Sequence, residues 1–344
     1  MKLLMITRKI DSKDGLAGFT YNWVKKLAQN LDKLYVICLE KGDVSGLAAN
    51  IEIYSLGKEN GKNRFKEFFN FCKFATRLVP KVDGVFSHQN PEYGIFIAPW
   101  CKIFSKKLIA WYVHKRVGLK LKILNFLVDH VVSVSKESFR LQSKKLILLH
   151  HGIDTDLFSF VDKQEHNELR LLSISRISAT KQIDKMLDLV VELKQKIDKK
   201  IILKIVGEPS LAEDVKYLDT LKQRVKHLDL IDNVEFLGSK SNNETPGLYQ
   251  WADIFLNFSQ TGSIDKTVLE AMSCGTLVLV SNEAFAPIFT KLNIDCYLNS
   301  DKSAVDLVIG LLNKNSKTLR LSLRNYVLHN HDLDHLARKI VNLY

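Results

Sequence analysis

Short, almost wholly apolar runs alternate with stretches of helical spacing along this chain, and the rhythm occurs twice. In the first half the runs fall at residues 3–7, 34–39, 83–87, 108–113, 130–134 and 146–149. Between the first two, Phe19, Trp23, Val24, Leu27 and Leu31 recur at helical spacing. The rhythm restarts with runs at 169–175, 201–206, 234–237, 253–258 and 277–281, and Ile183, Met186, Leu187, Val190 and Leu193 form a helical face there. A strand apolar at every position has both faces buried, and parallel strands need long, usually helical, crossovers. The expected fold class is therefore α/β, with two doubly wound parallel domains facing across a cleft. The polar stretch 161–168 reads as the linker, which sets domains at 1–160 and 161–325, with a closing helical segment at 326–344. Ligands of such folds are expected beyond the C-terminal ends of the strands.

At 344 residues and 46% hydrophobic content, two ordinary cores are affordable. The five cysteines are odd in number, far apart and without a CxxC pair, which argues for a reducing compartment and against structural zinc. The chain opens directly on a strand pattern with no signal peptide, and no apolar run approaches the ~20 residues that span a bilayer. A cytoplasmic protein is expected. The net charge of +12 is uneven, because residues 1–150 carry 26 Lys and Arg against 12 Asp and Glu. That asymmetry suits an anionic partner or a generally basic surface. No nucleic-acid module is recognisable, so no nucleic-acid partner is expected. In the run 64–74, Phe65, Phe68, Phe69 and Cys72 share one helical face, with Lys62, Lys66 and Lys73 elsewhere on the turn. This helix either lies on an anionic membrane at its inner face or packs its aromatic side into the core. Lys102, Lys106, Lys107, Lys115, Arg116, Lys120 and Lys122 extend the basic region.

The stretch after the run 253–258 carries most of the chemistry. Gly262, Ser263, Ile264, Asp265, Lys266 and Thr267 form a polar turn between a strand and a helix, and Glu270 follows on that helix. Such a turn aims unpaired backbone N–H groups outward and suits phosphate. A buried carboxylate beside it suits a pair of ribose hydroxyls, which can both donate to it. Asp265 is either the helix N-cap or a ligand contact, and Lys266 lies beside phosphate or is simply exposed. Arg176 and Lys181 follow the run 169–175 and can neutralise a diphosphate as it leaves. Gly207 and Gly238 end the next two strands, where a missing side chain permits close approach.

Six runs in register carry a resemblance over about 130 residues: His151-Gly152-Ile153-Asp154 with Phe158, Ser175-Arg176 with Lys181, Ile205-Val206-Gly207, Val234-Glu235-Phe236-Leu237-Gly238, Trp251-Ala252-Asp253-Ile254-Phe255-Leu256 and Leu269-Glu270-Ala271-Met272-Ser273-Cys274-Gly275. Together they resemble the donor domain of family 4 glycosyltransferases, retaining enzymes of the GT-B fold with two Rossmann-like domains. The resemblance implies a nucleotide sugar such as a UDP- or GDP-sugar as donor, with no metal or other cofactor. It implies that Arg176 and Lys181 grip the donor diphosphate and that Glu270 accepts bonds from the ribose. The first half resembles the acceptor domain of the same family. There Asp14-Gly15-Leu16-Ala17-Gly18 fits a glycine-rich loop closing over the donor phosphates, and its glycines permit positive φ. His88 and His114 would both sit at the cleft, His114 nearest the sugar and diphosphate. The run Ser133-Val134-Ser135-Lys136-Glu137-Ser138 fits a family turn, and the last helix would cross back onto the first domain.

The chain departs from the family at Gly262, where the usual motif has a second glutamate eight positions before Glu270. Either Asp265 and Lys266 replace it, or the N–H groups of residues 263–265 contact the sugar, or turnover is weak or lost. The expected function is transfer of a sugar, with retention, to a glycan or lipid-linked acceptor in surface polysaccharide or glycolipid synthesis. The alternative is a non-catalytic glycosyltransferase-like subunit that binds a nucleotide or a partner. No carboxylate pair presents itself for double displacement, and the resemblance implies that the donor phosphate itself takes the acceptor proton.

Overall fold

The computed structural model describes residues 1–15, 17–259 and 263–344. They form two compact units: Met1–Asp154 with Ser241–Asn243 and Asp332–Tyr344, and Thr155–Lys240 with Glu244–His331.

In the first unit the chain runs β1 (Lys2–Ile10), α1 (Gly18–Ala28), β2 (Lys33–Lys41), β3 (Ile51–Ser55), α2 (Arg64–Leu78), β4 (Gly84–His88), α3 (Pro91–Ile103), β5 (Lys107–Trp111), α4 (Leu119–Leu127), β6 (His130–Ser133) and β7 (Leu146–Leu148). The strands make one parallel seven-stranded sheet in the order β3-β2-β1-β4-β5-β6-β7. Alternate residues of β1 enter different cores, as the pleat requires. Leu4 and Ile6 join Phe71, Ala75, Ile97, Leu121 and Leu124 under α2, α3 and α4. Leu3 and Met5 join Trp23, Val24 and Leu27 of α1 on the other face. The strand β3 was not expected from the apolar runs. Among the described residues it pairs only with β2, at the sheet edge, and all five of its residues are half-buried, so it lacks the continuous apolar signature of its neighbours.

The second unit runs β8 (Glu168–Ile174), α5 (Ile183–Lys196), β9 (Lys200–Val206), α6 (Ala212–His227), β10 (Val234–Phe236), α7 (Thr245–Trp251), β11 (Ile254–Asn257), α8 (Lys266–Ser273), β12 (Leu277–Val280), α9 (Ala286–Leu292), α10 (Ala304–Asn313) and α11 (Lys317–His331). Its parallel sheet has the order β10-β9-β8-β11-β12. The chain enters this unit at Thr155, ahead of the boundary placed at residue 160. The reason is packing: Phe158 lies edge-on to Tyr249, and Phe160 sits beneath the Arg320 guanidinium. The helix α11 likewise runs past residue 325 before the chain leaves the unit.

The last helix, α12 (Leu333–Val341), belongs to the first unit. Leu333, Leu336, Ala337 and Ile340 complete the core under α1. The Lys26 ammonium, 6% exposed as a residue, pins α1 to this helix through Asp334 at 3.0 Å, with Asp154 at 3.9 Å. Removing one partner of a buried pair strands the other charge, though Asp334 is itself a third exposed. Lys26→Ala is therefore expected to destabilise the first unit by about 2 kcal/mol, read as a lower urea midpoint with unchanged slope.

Candidate functional site

Both sheets reverse strand order beside their first strand, between β1 and β4 and between β8 and β11. At such a switch point the two following loops diverge and leave a crevice at the strand C-termini. In the second unit the loops leaving β8 and β11 carry the residues singled out in the sequence.

The β8 loop holds Arg176 exposed, while Lys181 ends a single turn of 3-10 helix, Ala179–Lys181. Arg176 makes no ion pair among the described residues. The Lys181 ammonium reaches across to the other loop, donating to the Ser259 hydroxyl at 3.3 Å and lying 3.6 Å from the Asp265 carboxylate. The two loops are thus joined by the cation expected to hold a diphosphate.

Gly207 and Gly238 secure the neighbouring strand ends. The Gly207 N–H donates to the Gly238 carbonyl at 2.9 Å, and Ser175 donates to Val206 at 3.0 Å. Gly207 has φ +137, and a Cβ there would lie 1.8 Å from the Ser175 carbonyl oxygen. Two backbones approach at this point in a way that only glycine allows. Gly238 adopts φ +67.

Gly262 lies outside the described residues. From Ser263 onward the turn is half-buried and tethered from an unexpected direction. Asn282, fully buried just beyond β12, donates to the Ser263 carbonyl at 2.6 Å and lies 3.4 Å from Asp265. Asp265 occupies the N-cap position of α8, but its side chain makes no capping bond. Its carboxylate is turned to Lys181 and Asn282 instead. Ile264 and Thr267 flank it, both half-buried.

Lys266 and Glu270 lie one helical turn apart on α8. Burial pushes the Lys266 ammonium down to about 8, an effect opposed by nearby Glu270. Glu270 is 9% exposed, and burial raises its carboxyl, opposed first by Tyr249 and then by Lys266. The Tyr249 hydroxyl donates to Glu270 Oε2 at 2.8 Å. Tyr249 and Asn282 escaped the sequence reading. The first stands just before the run Trp251-Ala252-Asp253, and the second follows the last strand. Each looks like ordinary core or turn punctuation until the fold brings Tyr249 to Glu270 on α8 and Asn282 to Ser263.

In the first unit the loop after β1 is built on Asp14. Its carboxylate accepts from the Ala17 N–H and from Lys9, both at 2.6 Å, and its carbonyl accepts from Gly18 at 2.9 Å. Gly15 is exposed in this loop. Gly18 is buried and does not use positive φ, contrary to the sequence expectation. Asn242 packs on it, its Cβ 3.2 Å from where a Gly18 Cβ would stand. His88 is fully buried among Trp23, Phe86 and Phe19, with Nδ1 3.1 Å from the Thr7 hydroxyl. His114 is exposed and borders a cavity of about 830 Å³ with Tyr112, Asn90 and Glu92. Its Nδ1 accepts from the Arg116 N–H at 3.0 Å. That bond assigns the proton of the neutral ring to Nε2, which remains a donor.

Residues 154–327 match the family described as "Glycosyl transferases group 1". Among curated proteins, the chain is similar to alpha-monoglucosyldiacylglycerol synthase of Streptococcus pneumoniae, at 32% identity over 230 residues, 61% of this chain and 48% of that protein. It is also similar to mannosylfructose-phosphate synthase of Agrobacterium fabrum, at 27% identity over 155 residues, 42% of this chain and 34% of that protein. The matches span between a third and a half of those relatives' lengths. Among solved structures, Anabaena HepE in complex with UDP and glucose aligns with a TM-score of 0.74 at 15% identity, covering 100% of this chain and 99% of its own. A glycosyltransferase from Rickettsia africae aligns at 0.75 with 17% identity, covering 100% and 98%. The structural likeness is one of fold, and the family match takes in just over half of the 344 residues. With two parallel-sheet units of the GT-B type and that match across the second of them, the chain belongs to the group 1 glycosyl transferases.

Proposed function

We propose that this protein is a retaining glycosyltransferase that moves a sugar from a nucleotide-diphosphate sugar to a glycan or lipid-linked acceptor. The observation that carries the proposal is the gathering of Lys181 on the β8 loop with Asp265, Lys266 and Glu270 on the turn and helix that follow β11, beside the second sheet's switch point. Arg176 and Lys181 take the donor diphosphate and stabilise the charge that grows on it as the glycosidic bond breaks. Glu270 accepts from the ribose hydroxyls. Gly207, Gly238, Ser263, Ile264 and Thr267 supply close-lying backbone and side-chain contacts. HepE's complex with UDP and glucose supports a uridine donor, although a GDP-sugar suits the same contacts. The name of the streptococcal relative supports a glycolipid acceptor.

The first unit presents a surface suited to an anionic membrane. Phe65 is 91% exposed, Phe69 70% and Phe68 56% on α2, so the aromatic face is not a core face. Ile103 on α3 and Leu119 and Phe126 on α4 are also exposed. The helix α3 packs against both α2 and α4, and Lys62, Arg64, Lys66, Lys73, Lys102, Lys120 and Lys122 are exposed on or beside these helices. Among the described residues no helix is long and apolar enough to cross a membrane. The pattern fits peripheral attachment of a cytoplasmic enzyme at the inner membrane face.

The missing glutamate at Gly262 favours a second reading, a nucleotide-binding subunit without turnover. Hydrolysis or transfer of any nucleotide sugar excludes it.

Calorimetric titration with UDP tests the site. Glu270→Ala is expected to weaken binding roughly 10- to 100-fold, the loss of charge-assisted bonds, and unchanged affinity would sink the ribose assignment. Because Glu270 is raised by burial and Lys266 lowered to about 8, affinity should peak between them. It should fall on the acid side as Glu270 gains its proton and on the alkaline side as Lys266 loses its own. Lys266→Met should abolish the alkaline limb. In flotation with phosphatidylglycerol vesicles, the double substitution Phe65→Ser with Phe69→Ser should cut binding by about tenfold or more. High salt should release the wild-type protein, and equal partitioning of variant and wild type would overturn the assigned surface.

A further inference from the structure

Glu270 is held by a residue that no part of the donor motif specifies. Tyr249 is 0% exposed, and its ring is wedged against Phe158 at 5.8 Å and Phe255 at 5.4 Å. Its backbone carbonyl is anchored by the Thr276 hydroxyl at 2.6 Å. Within this apolar socket its one polar atom donates to Glu270 Oε2 at 2.8 Å. Packing alone is served equally well by phenylalanine, which has no hydroxyl to desolvate. Burial keeps the phenol protonated, far above its ordinary range, so it is a fixed donor. The carboxylate in turn lies on the first turns of α8, where a glutamate otherwise has several rotamers.

We infer that Tyr249 is a positioning residue for nucleotide recognition: its hydroxyl fixes Oε2 of Glu270, so that the remaining lone pairs of the carboxylate meet the ribose diol already oriented. The inference rests on the proposed ribose role of Glu270. A carboxylate has about four acceptor sites on its two oxygens. The phenol takes one of them, and among the described residues no hydrogen bond is made to Oε1. The phenol does not touch the nucleotide. It lowers the ordering that binding would otherwise demand of Glu270.

The test compares UDP with 2′,3′-dideoxyuridine diphosphate, and GDP with its dideoxy form in parallel, by calorimetry. Tyr249→Phe is expected to weaken the ribonucleotide five- to tenfold and to leave the dideoxy nucleotide within twofold of wild type. A stability control comes from Thr276→Val, which removes the anchor on the Tyr249 carbonyl while keeping the phenol. It should lower Tm without changing the ribo-to-dideoxy ratio. Wild-type affinity of Tyr249→Phe for the ribonucleotide overturns the inference. So does an equal loss for both nucleotides, or a change of the ratio in Thr276→Val as large as in Tyr249→Phe. If Glu270→Gln binds the ribonucleotide as wild type does, or if wild type binds neither diphosphate, the ribose reading itself has failed.

Discussion

Parallel strand pairing is the constraint on which the rest of this structure depends. Every strand pair recorded in both sheets is parallel. Parallel strands need crossovers and both faces covered, so each sheet is sheathed in helices and all strand C-termini fall at one edge. The loops at that edge are relieved of core packing and are able to carry polar chemistry. In the second unit those loops hold Arg176, Lys181, Gly207, Gly238 and the turn from Ser263. The backbone contact of Gly207 with Ser175 shows how tightly the edge is drawn together, since the carbonyl stands where any side chain would begin.

On that edge the electrostatics are organised by mutual restraint. Lys181 is shared between Ser259 and Asp265, and Asn282 holds the carbonyl of Ser263. A diphosphate bound as proposed would meet loops that are already tied and would compete with Asp265 for the Lys181 ammonium. Glu270 and Lys266 are each shifted by burial toward neutrality and by one another toward charge. Desolvation and pairing thus act in opposite directions on each group.

The same folding logic gives the first unit two unlike helical layers. The layer of α1 and α12 is closed by the buried Lys26 pairs and by the apolar face of α12. The layer of α2, α3 and α4 buries Phe71, Ala75 and Leu78 but leaves Phe65, Phe68 and Phe69 in solvent beside lysines. The helix α2 is thus apolar on more than one side. Its core face satisfies the sheet, and its outer face is surplus to folding.

By itself the sequence determined the strands whose residues are buried on both sides, the repetition of the α/β pattern, and the strand-to-helix turn that bears Glu270. Those features are local, since a run of apolar residues or a turn beside a helix is written in consecutive positions. It did not reveal β3, whose edge position leaves it half-buried, nor which side of α2 faces the sheet, because aromatic residues occupy both. It placed Gly18 in a glycine-rich loop and His88 at a strand end, but not the packing of Asn242 on Gly18 or the enclosure of His88 by Trp23 and Phe86. Only the tertiary structure brought Tyr249 to Glu270, Asn282 to Ser263 and Lys181 to Asp265. Those pairs are 21, 19 and 84 residues apart in sequence; the first meets because α7 packs against α8, and the other two because parallel strands return their following loops to a single edge.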